Sequence, residues 1–123
     1  MTPKQLVQEW VRRFNAGDVD GLAALYAGDA INHQVVMEPL RGRQAIRRMC
    51  EVEFGGATMT CIAEHLLEDA ERAVLEWRDP GGLHGCGFFQ VRDDRIVLQH
   101  GDFGQLSFFR QKGIAVPESN LGT

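Results

Sequence analysis

Apolar residues near the start of the chain recur at helical spacing and predict two helices. The first is expected over residues 3–15, where Thr2 and Gln5 fit a capping box and Pro3 takes the first helical position. Its apolar face carries Leu6, Val7, Trp10, Val11 and Phe14. Asp18 is expected to cap a second, shorter helix that stops at Gly28 and carries Val19, Leu22, Leu25 and Tyr26.

A brief strand over residues 30–36 and a third helix are expected next. Gly42 opens that helix, which ends before Gly55 and Gly56. Residues 57–67, 72–78, 83–92 and 95–103 then read as strands separated by short polar turns, which predicts antiparallel hairpins. Glycines within these strands indicate strong bends. The pattern predicts an α+β fold, a cone-shaped curved antiparallel sheet with three N-terminal helices enclosing a pocket.

The last predicted strand has an unusual order of side chains. Ile96, Leu98, His100 and Asp102 should share one face, because side chains alternate along a strand. A face that passes from apolar to ionisable residues suggests a strand running from a packed core to a cavity wall. His100 and Asp102 would then lie about 6–7 Å apart. The alternative is a rim where that face meets water.

The segment after this strand and the chain termini give weaker signals. Leu106, Phe109 and the stop at Gly113 suggest a short helix or an extended lid after Phe103. Residues 1–113 are expected to form one domain, and residues 114–123 are expected to form a loosely ordered tail.

Composition and charge narrow the classes of function. The 13 basic and 17 acidic residues give a formal charge of −4, which argues against nucleic acid or an anionic membrane as partner. The one local excess of basic residues indicates a solvated helix face, and it consists of Arg41, Arg43, Arg47 and Arg48. With no apolar run long enough to span a bilayer and no signal region, a cytoplasmic location is expected. The three cysteines, Cys50, Cys61 and Cys86, look like small buried hydrophobes.

Four phrases of the sequence together resemble SnoaL-like polyketide cyclases of the nuclear transport factor 2-like superfamily. They are residues 14–20 (FNAGDVD), 26–30 (YAGDA), 40–46 (LRGRQAI) and 95–103 (RIVLQHGDF). The resemblance covers roughly residues 3–112. It implies a cystatin-like α+β barrel with a pocket between helices and sheet, often dimeric through the outer face of the sheet. A homodimer is therefore expected.

The resemblance implies less about chemistry, because members of the superfamily range from enzymes to non-catalytic binding domains. Related cyclases keep an acid/base carboxylate on the late strand for an intramolecular aldol closure, and Asp102 matches that position. Ketosteroid isomerases use a hydroxyl from the first helix, whereas this helix offers Trp10 and Phe14 but no tyrosine. Limonene epoxide hydrolases need an Asp–Arg–Asp relay, and no arginine is placed for one here.

Asp102, His100 and His33 are the candidate catalytic residues. A desolvated Asp102 suits proton transfer beside a carbonyl, and the alternative is a cap that accepts N–H groups from the following turn. His100 is expected to relay a proton or orient the substrate, and the alternative is a rim or core histidine bonded to a backbone carbonyl. The resemblance places the strand of His33 beside the pocket, where His33 would face Asp102. Asn32 should point the other way, towards a turn or the surface.

Aromatic side chains are the candidate ligand contacts, with a purely structural core role as the alternative. The ligand-binding candidates are Trp10, Trp77, Phe89 and Phe103. His84 with Cys86, and His65 with Glu64, are weak as metal ligands because each lacks a third ligand at a recognisable spacing. The sequence has no phosphate-binding loop and no nucleophile elbow, so no cofactor or metal is expected.

Three functions remain open from the sequence. The first is a cofactor-independent cyclase or isomerase that acts on a small apolar, carbonyl-bearing substrate through Asp102. The second is a non-catalytic domain that binds such a ligand in the same pocket. The third is a dimerisation module whose cavity is filled by phenylalanines.

Overall fold

The first two helices begin where the sequence places their caps. The computed structural model describes residues 1–34, 38–56 and 58–103. Helix α1 spans Pro3–Asn15, and its capping box joins Thr2 Oγ1 to the Gln5 amide at 3.1 Å and Gln5 Oε1 to the Thr2 amide at 2.9 Å. Asp18 caps α2, Val19–Ala23, by accepting from the Gly21 amide at 2.9 Å. Both predicted starts are confirmed.

Helix α2 ends earlier than predicted, because the chain pairs with a distant strand. Tyr26 opens β1 instead of continuing the helix, and its register partner is Ile96. The Ile96 amide donates to the Leu25 carbonyl at 2.8 Å. This long-range pairing overrides the helical spacing of Leu22, Leu25 and Tyr26, so the expectation of a helix up to Gly28 is wrong.

The sheet has six strands in the order β2-β1-β6-β5-β4-β3. Strand β1 (Tyr26–Gln34) runs parallel to β6, and all other pairs are antiparallel. The remaining elements are β2 (Leu40–Arg41), α3 (Arg43–Gly56), β3 (Ile62–Asp69), β4 (Arg72–Arg78), β5 (His84–Arg92) and β6 (Arg95–Phe103). The predicted α+β class is confirmed, with a curved, unclosed sheet, whereas β2 was not predicted. The predicted end of the first strand and the predicted lid and tail fall on residues 35–37 and 104–123, outside the described residues.

A one-residue bulge in β6 determines which side chains face the helices. Leu98 pairs with Gln90 of β5, but Ile96 pairs with Val91, so Val97 is an extra residue on β6. The alternation of faces therefore reverses between Ile96 and Leu98. Ile96 and Gln99 are buried on the helix-covered face, while His100 and Asp102 lie on the opposite, outer face. The expectation that Ile96, Leu98, His100 and Asp102 share a face is wrong.

The core lies between the helices and the helix-covered face of the sheet. Helix α1 contacts β3, β4 and β5, and α3 contacts β1 and β2. Cys50 and Cys61 are buried in this core as predicted, whereas Cys86 is exposed on the outer face, contrary to the prediction. Across residues 1–34, 38–56 and 58–103, no helix combines the length and apolarity needed to cross a membrane.

Candidate functional site

The three predicted catalytic side chains lie together on the outer face of the sheet, away from the helices. His33 is the register partner of His100, and their ring centroids are 5.8 Å apart. Asp102 is exposed and pairs with Cys86 of β5. The expected position of these side chains on a cavity wall under the helices is wrong, because the Val97 bulge turns His100 and Asp102 outward. Their chemical roles stay predictions.

The helix-covered face instead carries a network of neutral polar side chains, here called the amide network. Its members are Trp10, Tyr26, Asn32, Gln34 and Gln99. Asn32 and Gln99 are the buried polar residues among those described, with exposures of 2% and 5%. Asn32 is buried rather than at the surface, so the sequence prediction for it is wrong. Its burial follows from its register with Gln99, which places both amides on the same face.

The hydrogen bonds of the network run in one direction towards Gln99. Trp10 Nε1 donates to the Tyr26 hydroxyl at 2.9 Å, and that hydroxyl donates to Gln99 Oε1. Asn32 Nδ2 also donates to Gln99 Oε1, at 3.2 Å, and Gln34 Nε2 donates to Asn32 Oδ1 at 2.8 Å. Since both bonds to Gln99 end on its oxygen, the carboxamide is oriented with Oε1, and not Nε2, towards Tyr26 and Asn32.

The Nε2 group of Gln99 is a donor of the network with no acceptor among the described residues. Both bonds that this part of the chain makes to the carboxamide end on Oε1. Within the described residues, Nε2 is therefore left without an acceptor in an otherwise buried residue. A fixed N–H donor in an apolar surrounding suits recognition of a carbonyl oxygen.

Two glycines allow large side chains to lie flat against the sheet beside this network. A Cβ atom on Gly101 would collide with the carboxamide of Gln34, and one on Gly85 would collide with the indole of Trp77. Gly101 and Gly85 thus permit Gln34 and Trp77 to cover the strands. Trp77 is half-buried and packs against the core.

The predicted ligand-binding aromatics occupy different positions. Trp10 and Phe89 are buried and meet edge to face, with ring centroids 5.4 Å apart. Trp10 also stacks on Phe14 at 5.0 Å. These contacts are core packing, and Trp10 joins the network through its indole nitrogen. The side chain of Phe103 lies outside the described residues.

The titratable groups around the network favour neutral forms. Burial raises the pKa of the Tyr26 hydroxyl above its ordinary value and raises the pKa of the Cys50 thiol to about 11. Glu53, one turn beyond Cys50 on α3, acts on both groups through its charge, and desolvation raises the pKa of Glu53 itself. Within the described residues, no three His, Cys, Asp or Glu side chains converge on a metal position.

Sequence reasoning missed Tyr26, Asn32 and Gln99 as members of the network. One signal was available, because Asn32 and Gln99 lie in strands otherwise rich in apolar residues. Their partnership depends on the register between β1 and β6, which sequence spacing does not reveal.

The fold and the network together describe a curved sheet covered on one face by helices, with hydrogen-bonded polar side chains between the two layers. The model of the SnoaL-like domain family matches residues 7–99 of the 123-residue chain. The chain therefore belongs to the SnoaL-like family. The search of curated proteins gave no match.

Solved structures from several bacteria share the fold. A protein named as a SnoaL-like polyketide cyclase from Shewanella denitrificans has a TM-score of 0.78 and 14% identity, covering 90% of this chain and 96% of its own. An LEH-like epoxide hydrolase from M. tuberculosis has a TM-score of 0.77 and 18% identity, with 87% and 86% covered. A protein with a ketosteroid isomerase-like fold from Catenulispora acidiphila, solved with trimethylamine, has a TM-score of 0.77 and 14% identity, with 95% and 100% covered. At these identities the likeness shows the fold alone.

Proposed function

We propose that this SnoaL-like protein binds a small, neutral, carbonyl-bearing molecule between its helices and its sheet. The observation that carries the proposal is the Nε2 donor of Gln99, which has no acceptor among the described residues and is oriented by two hydrogen bonds to the oxygen of the same carboxamide. Among the described residues, those buried on the helix-covered face include no Asp, Glu, Lys or Arg. A site lined by amides and apolar groups favours a neutral ligand, because an ion there would lose hydration without a counter-charge.

A matched pair of ligands tests this proposal. 2-Tetralone and tetralin have nearly the same shape and differ in one carbonyl oxygen, so their affinity ratio isolates the hydrogen bond to the ketone. We expect the wild-type protein to bind 2-tetralone about three- to tenfold more tightly than tetralin. Titrations followed by NMR measure both affinities and report directly on the Gln99 side-chain amide.

The variant Gln99→Glu keeps an oxygen to accept from Tyr26 and Asn32 but replaces the N–H donor by a second oxygen. We expect the preference for 2-tetralone to disappear in this variant at a pH where the introduced carboxyl group is ionised, because its protonated form would still offer an O–H donor. Asp102→Asn, on the outer face, is the control and should retain the wild-type ratio. Equal affinities of the wild-type protein for the two ligands, or an unchanged ratio in Gln99→Glu, would contradict the role of Gln99.

Acid–base catalysis on the bound ketone is the second candidate function, and Glu53 is the observation that favours it. Glu53 is exposed on α3, its charge raises the pKa values of Tyr26 and Cys50, and partial desolvation raises its own pKa. Asp102, the carboxylate predicted from the resemblance, lies on the opposite face. The solved relatives named as a polyketide cyclase and an epoxide hydrolase support testing for an enzyme.

Exchange of the α-protons of 2-tetralone into deuterated water tests which carboxylate, that of Glu53 or that of Asp102, acts as the base. If Glu53 removes the proton, Glu53→Gln should lower the protein-dependent rate to the buffer rate, while Asp102→Asn leaves it unchanged. Only the carboxylate form is a base, so the rate should rise with pH, with a midpoint above that of an ordinary carboxyl group. If only Asp102→Asn lost the exchange, Asp102 would be the base, as predicted from the sequence. If the wild-type protein showed no exchange above the buffer rate, catalysis would be ruled out for this ketone and only the binding proposal would stand.

A further inference from the structure

Two histidines stand side by side on the outer face, where the proposed ligand site makes no use of them. His33 of β1 and His100 of β6 are register partners on neighbouring parallel strands. Their rings are nearly perpendicular, at 88°, with centroids 5.8 Å apart. Because the paired strands already fix both Cα atoms, no further backbone entropy is lost in bringing these imidazoles together.

This spacing matches the requirement of a shared metal ion. A ring nitrogen lies about 2.0–2.1 Å from zinc, so two imidazoles on one ion have centroids about 5–6 Å apart. Neutral imidazole is a common ligand for zinc, copper and nickel, and it is the main form of an ordinary histidine at neutral pH or above. The pair therefore needs only side-chain rotation to direct one nitrogen from each ring at a common point.

We propose that His33 and His100 form a binding site for a divalent transition-metal ion on the outer face of the sheet. The pair supplies two ligands, because no three donors converge among the described residues. Asp102 lies on the same face two residues along β6, about 6–7 Å from His100 between Cα atoms, and is the nearest carboxylate in sequence to join them. Water occupies the remaining coordination positions.

Aromatic packing is the competing explanation for the arrangement. The ring of His100 also lies 5.9 Å from that of Phe88, so the three rings form a row across β5, β6 and β1. Packing alone predicts no dependence of metal binding on these two histidines. The chain offers matched controls, since its other two histidines are each beside one glutamate. His65 lies 2.7 Å from Glu76, and His84 lies 3.4 Å from Glu64.

Calorimetric titration of the full chain with Zn²⁺, and separately with Ni²⁺, tests the site in metal-free buffer near pH 7.5. The variants are His33→Asn and His100→Asn, with His65→Asn and His84→Asn as controls. We expect one saturable site, weakened about tenfold or more in either pair variant and unchanged in the controls. Thermal unfolding of the metal-free variants verifies that each remains folded.

Long-range ¹H–¹⁵N spectra of the imidazoles provide a second readout that does not depend on the variants. Saturating Zn²⁺ should shift ring nitrogens of two histidines, those missing from the spectra of His33→Asn and His100→Asn. Absence of saturable binding, or equal weakening in all four variants, would overturn the proposal. Shifts confined to His65 or His84 would overturn it as well.

Discussion

Gln99→Met is expected to lower the free energy of unfolding by about 2–4 kcal/mol, because it removes the acceptor of two buried donors at once. The Tyr26 hydroxyl and the Asn32 carboxamide both donate to Gln99 Oε1, and both residues are almost fully buried. Methionine has nearly the same length, so the loss of volume is small. The cost therefore reflects unsatisfied polar groups rather than a cavity.

A double-mutant cycle with Tyr26→Phe separates these contributions. Tyr26→Phe removes one donor but leaves the Trp10 indole N–H without its acceptor. The double variant has no Tyr26 hydroxyl that could be left without an acceptor. The combined loss should therefore be smaller than the sum of the single losses by about 1 kcal/mol. Urea denaturation of the four proteins, followed by tryptophan fluorescence, measures the coupling. Additive losses would mean that Tyr26 and Gln99 do not depend on each other.

Phe89→Ala is expected to cost about 3–5 kcal/mol, the largest loss predicted for a single side chain here. Phe89 is 1% exposed and contacts Trp10 on the helix-covered face. Its neighbour Phe88 provides a matched control, since it lies on the outer face beside His100 and is partly exposed. Phe88→Ala should cost under about 1 kcal/mol.

Denaturant midpoints of the two variants compare the faces of β5 directly. A large difference confirms that Phe89 and its partner Gln99 face the helices. Similar losses would contradict the register, which places Phe88 and Phe89 on opposite faces of β5. The comparison thus tests the orientation on which the candidate ligand site depends.

The local features of the fold could be predicted from the sequence because their causes are local. The Thr2–Gln5 capping box and the Asp18 cap are satisfied within one helical turn. Short polar turns likewise determine the β4–β5–β6 meander. Tyr26 was misassigned because its strand pairing depends on Ile96, 70 residues away, which no local spacing reveals.

The candidate site could not be predicted because it depends on one extra residue. Ile96, Val97 and Leu98 are all apolar, so alternation of polarity gives no sign of the bulge between them. Because the faces reverse beyond Val97, Gln99 rather than His100 lies under the helices. Asn32 is the register partner of Gln99 and shares its buried face, whereas His33, the partner of His100, lies on the other face.

The position of β6 in the sheet has a consequence for the order of folding. It lies between β1 and β5, although it is the last described strand in the chain. Until residues 95–103 leave the ribosome, the β1–β2 pair and the β3–β4–β5 meander have no strand to join them. The core can therefore close only after these residues have emerged, and until then the nascent chain keeps two unpaired strand edges that invite binding by a chaperone.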